Sequence, residues 1–252
     1  MPDLNLLDRL RRHPIPISAH FSHSLVLTYA FAPEVLEPLL APGLVLDLFR
    51  GYAFLAVALV QTKRLRPSFL PAALGRDFFL SGYRIFTRLG AGRHSLRGLR
   101  ILRSDTDHGW MVCAGNLLTH YNYRLCTATV EERGDELRWQ IETPQAEADL
   151  EVTAHLSSEP GPLPAGSPFA TIAEARRFAG PLPYTFDYEE STRSIIGIHA
   201  LRQKWNPQPV ALTVRRNTFL EREPFCRTAP ILANAFHVCD VPYQWQRGRR
   251  LT

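Results

Sequence analysis

The chain has 252 residues, of which 45% are hydrophobic and 21% charged, with a formal net charge of +5. Those proportions are ordinary for a soluble globular protein, and the length buries a substantial core without disulfide or metal staples. The basic residues are 27 Arg against only Lys63 and Lys204, spread along the chain rather than clustered, so they give nucleic-acid binding little support.

Leu4, Leu6, Leu7 and Leu10 give the first residues a helical apolar stripe, broken by HPIPI. Residues 19–31 read as a strand. The segment 32–43 reads as a short helix, with Pro33 at its first position, Glu34 in its first turn and Gly43 as its stop. Residues 44–65 read as a hairpin turning near Arg50-Gly51, and within it GYAFLAVALV suits a strand covered on both faces. DFFLSGYRIFTRL and SLRGLRILRS follow as strands joined by GAGRH, which lacks the strand–helix context of a phosphate loop. DHGWMVCAGNLL predicts a helix capped by Asp107. GNLLTHYNYRLCTATVEE predicts a strand, and LRWQIET and DLEVTAHL alternate as strands with one face in a core. Residues 157–168 are Pro/Gly/Ser-rich and predict an exposed loop. A helix follows, with a Thr171–Glu174 capping box, and then four more strands. Many strands and about three short helices predict a mainly β, α+β fold: an antiparallel barrel or pair of sheets.

No stretch is long and apolar enough to span a bilayer, and the N-terminus carries acids where a secretory signal has none. Cys113, Cys126, Cys226 and Cys239 match neither a zinc nor a disulfide framework, which predicts reduced thiols in the cytoplasm. The Arg excess fits either oxyanion recognition or a compositional habit. The run RGRR at 247–250 reads as a solvated tail.

APEVLEPLLAPGLVLDLFRGYAFLAVALV, GYRIFTRL, GNLLTHYNYRLC, GPLPYTFDY and AFHVCDVPYQW, in that order, carry a resemblance. Over roughly residues 17–246 the chain resembles the YqjF-like uncharacterised proteins of the acetoacetate decarboxylase-like superfamily. The resemblance implies one domain over 1–252, a cone-like antiparallel β-barrel or double sheet with short flanking helices, and a central pocket. The superfamily's decarboxylases use a Schiff-base lysine, whose position falls here in THYNY near Tyr121, and a pocket glutamate, whose position falls in FFLSGYRIF. Neither residue is present. Tyrosine cannot form an imine, so decarboxylation by that route is not expected, and Lys63, at the end of an apolar strand, is expected to snorkel to water.

Along THYNY, His120, Asn122 and Arg124 share one strand face and Tyr121, Tyr123 and Leu125 the other. These are either the two ordinary faces of a sheet or one face lining a pocket. In the second case Tyr121 is a candidate hydrogen-bond donor or acid and His120 a candidate base. Arg84 lies inside an apolar strand. It pairs with a buried carboxylate, snorkels, or binds an anionic ligand. Asn116 and Tyr123 complete the expected binding residues. His20 and His23 fall on opposite strand faces, while His237 and Cys239 share one, and two ligands do not make a zinc site. The expectation is therefore a small-molecule pocket, with neither metal nor cofactor. Its ligand is anionic if Arg84 is the counter-charge. The protein is either an enzyme of non-imine chemistry (lyase, isomerase or hydrolase) or a binding protein, with no membrane or nucleic-acid partner and with self-association open.

Overall fold

A computed structural model describes residues 6–90, 92, 95–156 and 161–252. Leu4 and parts of the GAGRH and 157–168 segments lie outside them. In chain order the elements are α1 (Leu6–Arg11), β1 (Ile17–Phe31), α2 (Pro33–Leu36), β2 (Leu44–Leu46), β3 (Ala53–Pro67), β4 (Arg76–Leu89) and β5 (Leu96–Thr106). Then come α3 (Gly109–Leu118), β6 (Tyr123–Leu125), β7 (Thr127–Arg133), β8 (Glu136–Glu142), β9 (Leu150–His155) and α4 (Ile172–Ala179). The chain finishes with β10 (Tyr184–Glu189), β11 (Ser194–Arg202), β12 (Gln208–Pro209), β13 (Ala211–Asn217), β14 (Ile231–Trp245) and β15 (Arg249–Arg250).

The strands form two sheets. In the larger, of 11 strands, the main path runs β12-β14-β1-β3-β4-β5-β10-β11-β15, and β11 also pairs with β14. That pairing covers only Ala200↔Trp245 to Arg202↔Tyr243, so the sheet curls into a cone joined at one end rather than a barrel closed along its length. The second sheet, β13-β9-β8-β7, packs on the cone's outer face. Most pairings are antiparallel, but β10 and β6 lie parallel to β5.

β3 shows how sequence sets this architecture. Ala53 to Val60 are all buried, because alternate residues serve two cores. Leu55, Val57 and Leu59 meet Leu137, Trp139 and Val152 of the second sheet, while Phe54 and Val60 point into the cone. Each large apolar side chain buried this way stabilises the fold by about 1.5–3 kcal/mol. At one end of the cone α4 acts as a plug. Thr171 caps it by accepting from the Glu174 N–H at 3.1 Å, and Phe178 stacks on Phe86 at a centroid distance of 6.0 Å.

Three local expectations are corrected. The turn at Arg50-Gly51 forms, with positive φ at both residues, but β2 and β3 are not hairpin partners. β2 pairs with β4 instead, because the buried Asp47 carboxylate is held there by Arg88 (2.5 Å) and Arg97 (2.6 Å). Asp107 does not cap α3. Its Oδ1 accepts from the Phe79 N–H at 2.8 Å, and the residue flanking the helix is His108. The strand expected from Gly115 onward begins only at Tyr123, since Gly115 to Leu118 belong to α3.

His13, on the link from α1 to β1, gives the fold a pH dependence. Burial lowers its pKa to about 4, so the folded state favours neutral imidazole. Stability from this group is complete above the unfolded value near ~6.5 and is lost as pH falls from there to about 4, for a total of about 3 kcal/mol. His13 has φ +54°, a conformation asparagine tolerates. His13→Asn is therefore expected to lose less stability than the parent between pH 7 and pH 4.5 in urea titrations. Equal losses in both proteins would remove His13 as the cause.

Candidate functional site

The cone interior contains a cavity of about 90 Å³. Its walls are apolar side chains of β1, β3, β4, β5 and β14, and residues 179–182, from the last residue of α4 onward, close one end. Polar groups converge on it from several elements, among them Arg84, Tyr121, Tyr123, Thr185, Arg202 and Tyr243.

Arg84 stands on β4, where the register with β5 slips between Tyr83 and Arg84, a bulge that re-aims side chains. Its guanidinium folds back over Gly82; a Cβ there would meet Nε at 2.8 Å, so the missing side chain makes the space. Nε is buried without a hydrogen-bond partner, and no carboxylate among the described residues pairs with Arg84. Burial lowers its pKa, with Tyr243 and Tyr123 opposing and Arg202 adding to the effect. Arg202, at the end of β11, donates to the Tyr243 hydroxyl at 2.9 Å and lies over the Tyr243 ring at 4.9 Å. Two cations therefore face a cavity with no acid in its lining. An unpaired buried cation is costly, and an anionic ligand removes the cost.

The THYNY segment is built locally. Asn116 donates to the Tyr123 carbonyl at 2.9 Å and accepts from the Tyr123 N–H at 2.8 Å. A Cβ on Gly115 would lie 2.3 Å from the Tyr123 ring, so glycine lets the ring seat on α3. Asn122 takes φ +53°, a turn that breaks the strand, yet Tyr121 and Tyr123 still point inward together. Leu125, expected on their face, is exposed. Burial pushes the Tyr121 hydroxyl well above its ordinary pKa, with Asp187 adding to the shift, so it stays protonated. Among the described residues the hydroxyl makes no hydrogen bond of ordinary length, with Thr185 the hydroxyl that comes near enough to lower its pKa.

The structure thus brings Arg84, Tyr121 and Tyr123 to one cavity. Asn116 does not line it; both ends of its amide are spent on the Tyr123 backbone. His120 is also off the cavity. It points to the other side, where burial and then Arg11 lower its pKa and its Nε2 has no partner. Neither lysine reaches the interior: Lys63 is 46% exposed and pairs with Asp77 at 3.2 Å, and Lys204 is exposed. His23 Nδ1 lies 3.1 Å from His237 Nε2 across β1 and β14.

Sequence reasoning passed over Arg202, Tyr243 and Asp187. Asp187, on β10, is fully buried, and among the described residues neither carboxylate oxygen makes a hydrogen bond of ordinary length, although the His120 backbone N–H lies near enough to lower its pKa. Its one ion-pair contact is Arg100 Nη1 at 3.6 Å. Burial raises its pKa to about 7, with Arg100 opposing. The available signal was an acid in the middle of PYTFDYEE, the counterpart of an Arg inside GYRIF.

A curled sheet with a second sheet on its outer face and a small cavity inside is the acetoacetate decarboxylase-like architecture. An acetoacetate decarboxylase from Legionella pneumophila subsp. pneumophila str. Philadelphia 1 superposes with a TM-score of 0.67 at 11% identity, over 100% of this chain and 92% of that one. The enduracididine biosynthesis enzyme MppR complexed with pyruvate gives 0.65 at 13%, over 95% and 91%. An acetoacetate decarboxylase-like enzyme from Sphingomonas wittichii RW1 gives 0.62 at 13%, over 96% and 94%. Identities this low establish the fold alone. Residues 18–241 match the DUF2071 family, described as an uncharacterized conserved protein, and the chain belongs to that family. No curated protein matches it in sequence. No helix among the described residues is long and apolar enough to cross a membrane.

Proposed function

We propose that the cone cavity binds a small carboxylate, and that the protein is an enzyme acting on it without a Schiff base. The observation that carries this reading is Arg84, a half-buried residue whose guanidinium Nε is buried without a partner and which pairs with no acid among the described residues, facing a cavity it shares with Arg202. A cavity of about 90 Å³ suits a ligand of a few heavy atoms, since ~150 Å³ is enough for benzene. Pyruvate in the MppR complex is a ligand of that size and charge on the same fold. In this reading Arg84 and Arg202 hold the carboxylate, and the protonated Tyr121 donates to a second substrate oxygen. Asp187, with a pKa of about 7, exchanges a proton near neutrality behind Tyr121. YqjF-like kinship belongs to the same proposal. A second reading, a non-catalytic binding protein, is favoured by the position of both lysines outside the cavity.

Calorimetric titration with pyruvate and acetoacetate tests binding, and borohydride trapping with mass spectrometry tests the chemistry. Saturable binding with unchanged mass is expected. A covalent adduct on Lys63 or Lys204 would overturn the non-imine chemistry, and no binding of any small carboxylate would overturn the site. Binding with no conversion of a panel of small oxo- and hydroxy-acids selects the second reading.

A further inference from the structure

A second cavity, of about 220 Å³, lies against the first, between α3 and the start of β1. The two share part of their lining: Leu80, Tyr121, Tyr123 and Trp245. The second lining differs in character. Ile15, Ile17, Leu65, Met111, Ala114 and Leu118 surround it, with no lysine, arginine or carboxylate. Its one titratable imidazole, His13, is neutral through the physiological range. One compartment therefore fits a charged head and the other an uncharged apolar group, with aromatic side chains between them.

The two tyrosines of this partition are held differently. Tyr123 is fixed by the Asn116 amide and by its seat on Gly115. Tyr121 lies in the irregular stretch between α3 and β6, beside the turn at Asn122, and its hydroxyl makes no hydrogen bond of ordinary length among the described residues. A buried hydroxyl without a partner is an unmet requirement, satisfied when a ligand supplies an acceptor.

We infer that the two cavities form one bipartite site, in which a carboxylate bound at Arg84 passes the Tyr121 partition and lays an apolar chain or ring in the α3 cavity. The substrate class is then a carboxylate with an apolar body of roughly six carbons, given that ~150 Å³ holds benzene. This inference rests on the proposed carboxylate reading and narrows it.

The test is calorimetric titration with straight-chain carboxylates from acetate to decanoate, with 1-hexanol as the uncharged control. Affinity is expected to rise roughly fourfold per methylene once the chain enters the second cavity, then to level off when that cavity is full. Ala114→Phe, which fills the cavity from α3, should abolish the rise and leave butyrate binding unchanged; Leu118→Phe serves if Ala114→Phe does not fold, as judged by thermal melt. Arg84→Met should weaken every carboxylate alike. Butyrate binding with no gain for longer chains overturns the bipartite site and leaves the carboxylate reading standing. Hexanol binding as tightly as hexanoate and unaffected by Arg84→Met makes the apolar cavity a separate site and also overturns it. Binding of no carboxylate overturns both.

Discussion

Arg84→Met is expected to weaken carboxylate binding about tenfold to a hundredfold or more while leaving the melting temperature unchanged or raised. A hydrogen bond to a charged group contributes about 1.5–3 kcal/mol, and every ~1.4 kcal/mol is tenfold in affinity. The stability half of the prediction comes from what surrounds the guanidinium. Its Nε lacks a partner, no acid pairs with it among the described residues, and Arg202 repels it. Methionine keeps much of the apolar stem and strands no charge. Titration of the variant with pyruvate, beside its thermal melt, checks both halves. A loss of about 3 kcal/mol or more in stability would mean that Arg84 serves a hidden acid rather than a ligand.

Arg103→Met is expected to do the reverse and destabilise the fold by about 3–5 kcal/mol at neutral pH. Arg103 sits on β5 opposite Tyr83, one residue from Arg84 along β4, but two carboxylates hold its guanidinium through Nε and Nη1, leaving Nη2 without a partner among the described residues. Nε donates to Asp105 at 2.7 Å and Nη1 to Glu147 at 2.7 Å. Asp105 is completely buried, and burial already raises its pKa against the pull of Arg103. Without Arg103 its remaining side-chain hydrogen bond among the described residues comes from the Ser81 hydroxyl at 3.1 Å, with Arg124 acting on it as a nearby charge. The deficit should shrink as pH falls and Asp105 takes up a proton, and Asp105→Asn in the same chain should recover part of it. Urea denaturation of the single and double variants at pH 7.5 and pH 5 measures this. A deficit that ignores both pH and Asp105→Asn would assign the loss to packing instead.

Two arginines in neighbouring strands thus carry opposite roles, and their partners distinguish them. The apolar strand around each of them does not supply that difference. Arg84 in GYRIF and Arg103 in ILRS are both cations in apolar strands. What separates them is a carboxylate two residues along for Arg103 and, for Arg84, a glycine two residues back that opens space toward the cone interior.

Period-2 alternation in LRWQIET and DLEVTAHL, the unbroken apolar run of β3, the turn at Arg50-Gly51 and the Thr171 cap were legible because each depends on residues within a few positions. So was the missing imine lysine, since an absent side chain needs no geometry. The partner of β2 was not legible. It depends on Asp47 meeting Arg88 and Arg97, 41 and 50 residues away. The end of α3 at Leu118 was legible, but the start of the strand after it was not, because Gly115 and Asn116 seat Tyr123 on the helix rather than pairing in a strand of their own. By itself the sequence determined the element types and the mainly β class, both set by local backbone geometry and by the periods of helix and strand. Only the tertiary structure decided which polar groups meet. Curling the sheet carries Arg202 and Tyr243 to Arg84, leaves Asn116 and His120 outside the cavity and buries Asp187 without a hydrogen bond of ordinary length among the described residues, because proximity across a cone is set by strand order and not by distance along the chain.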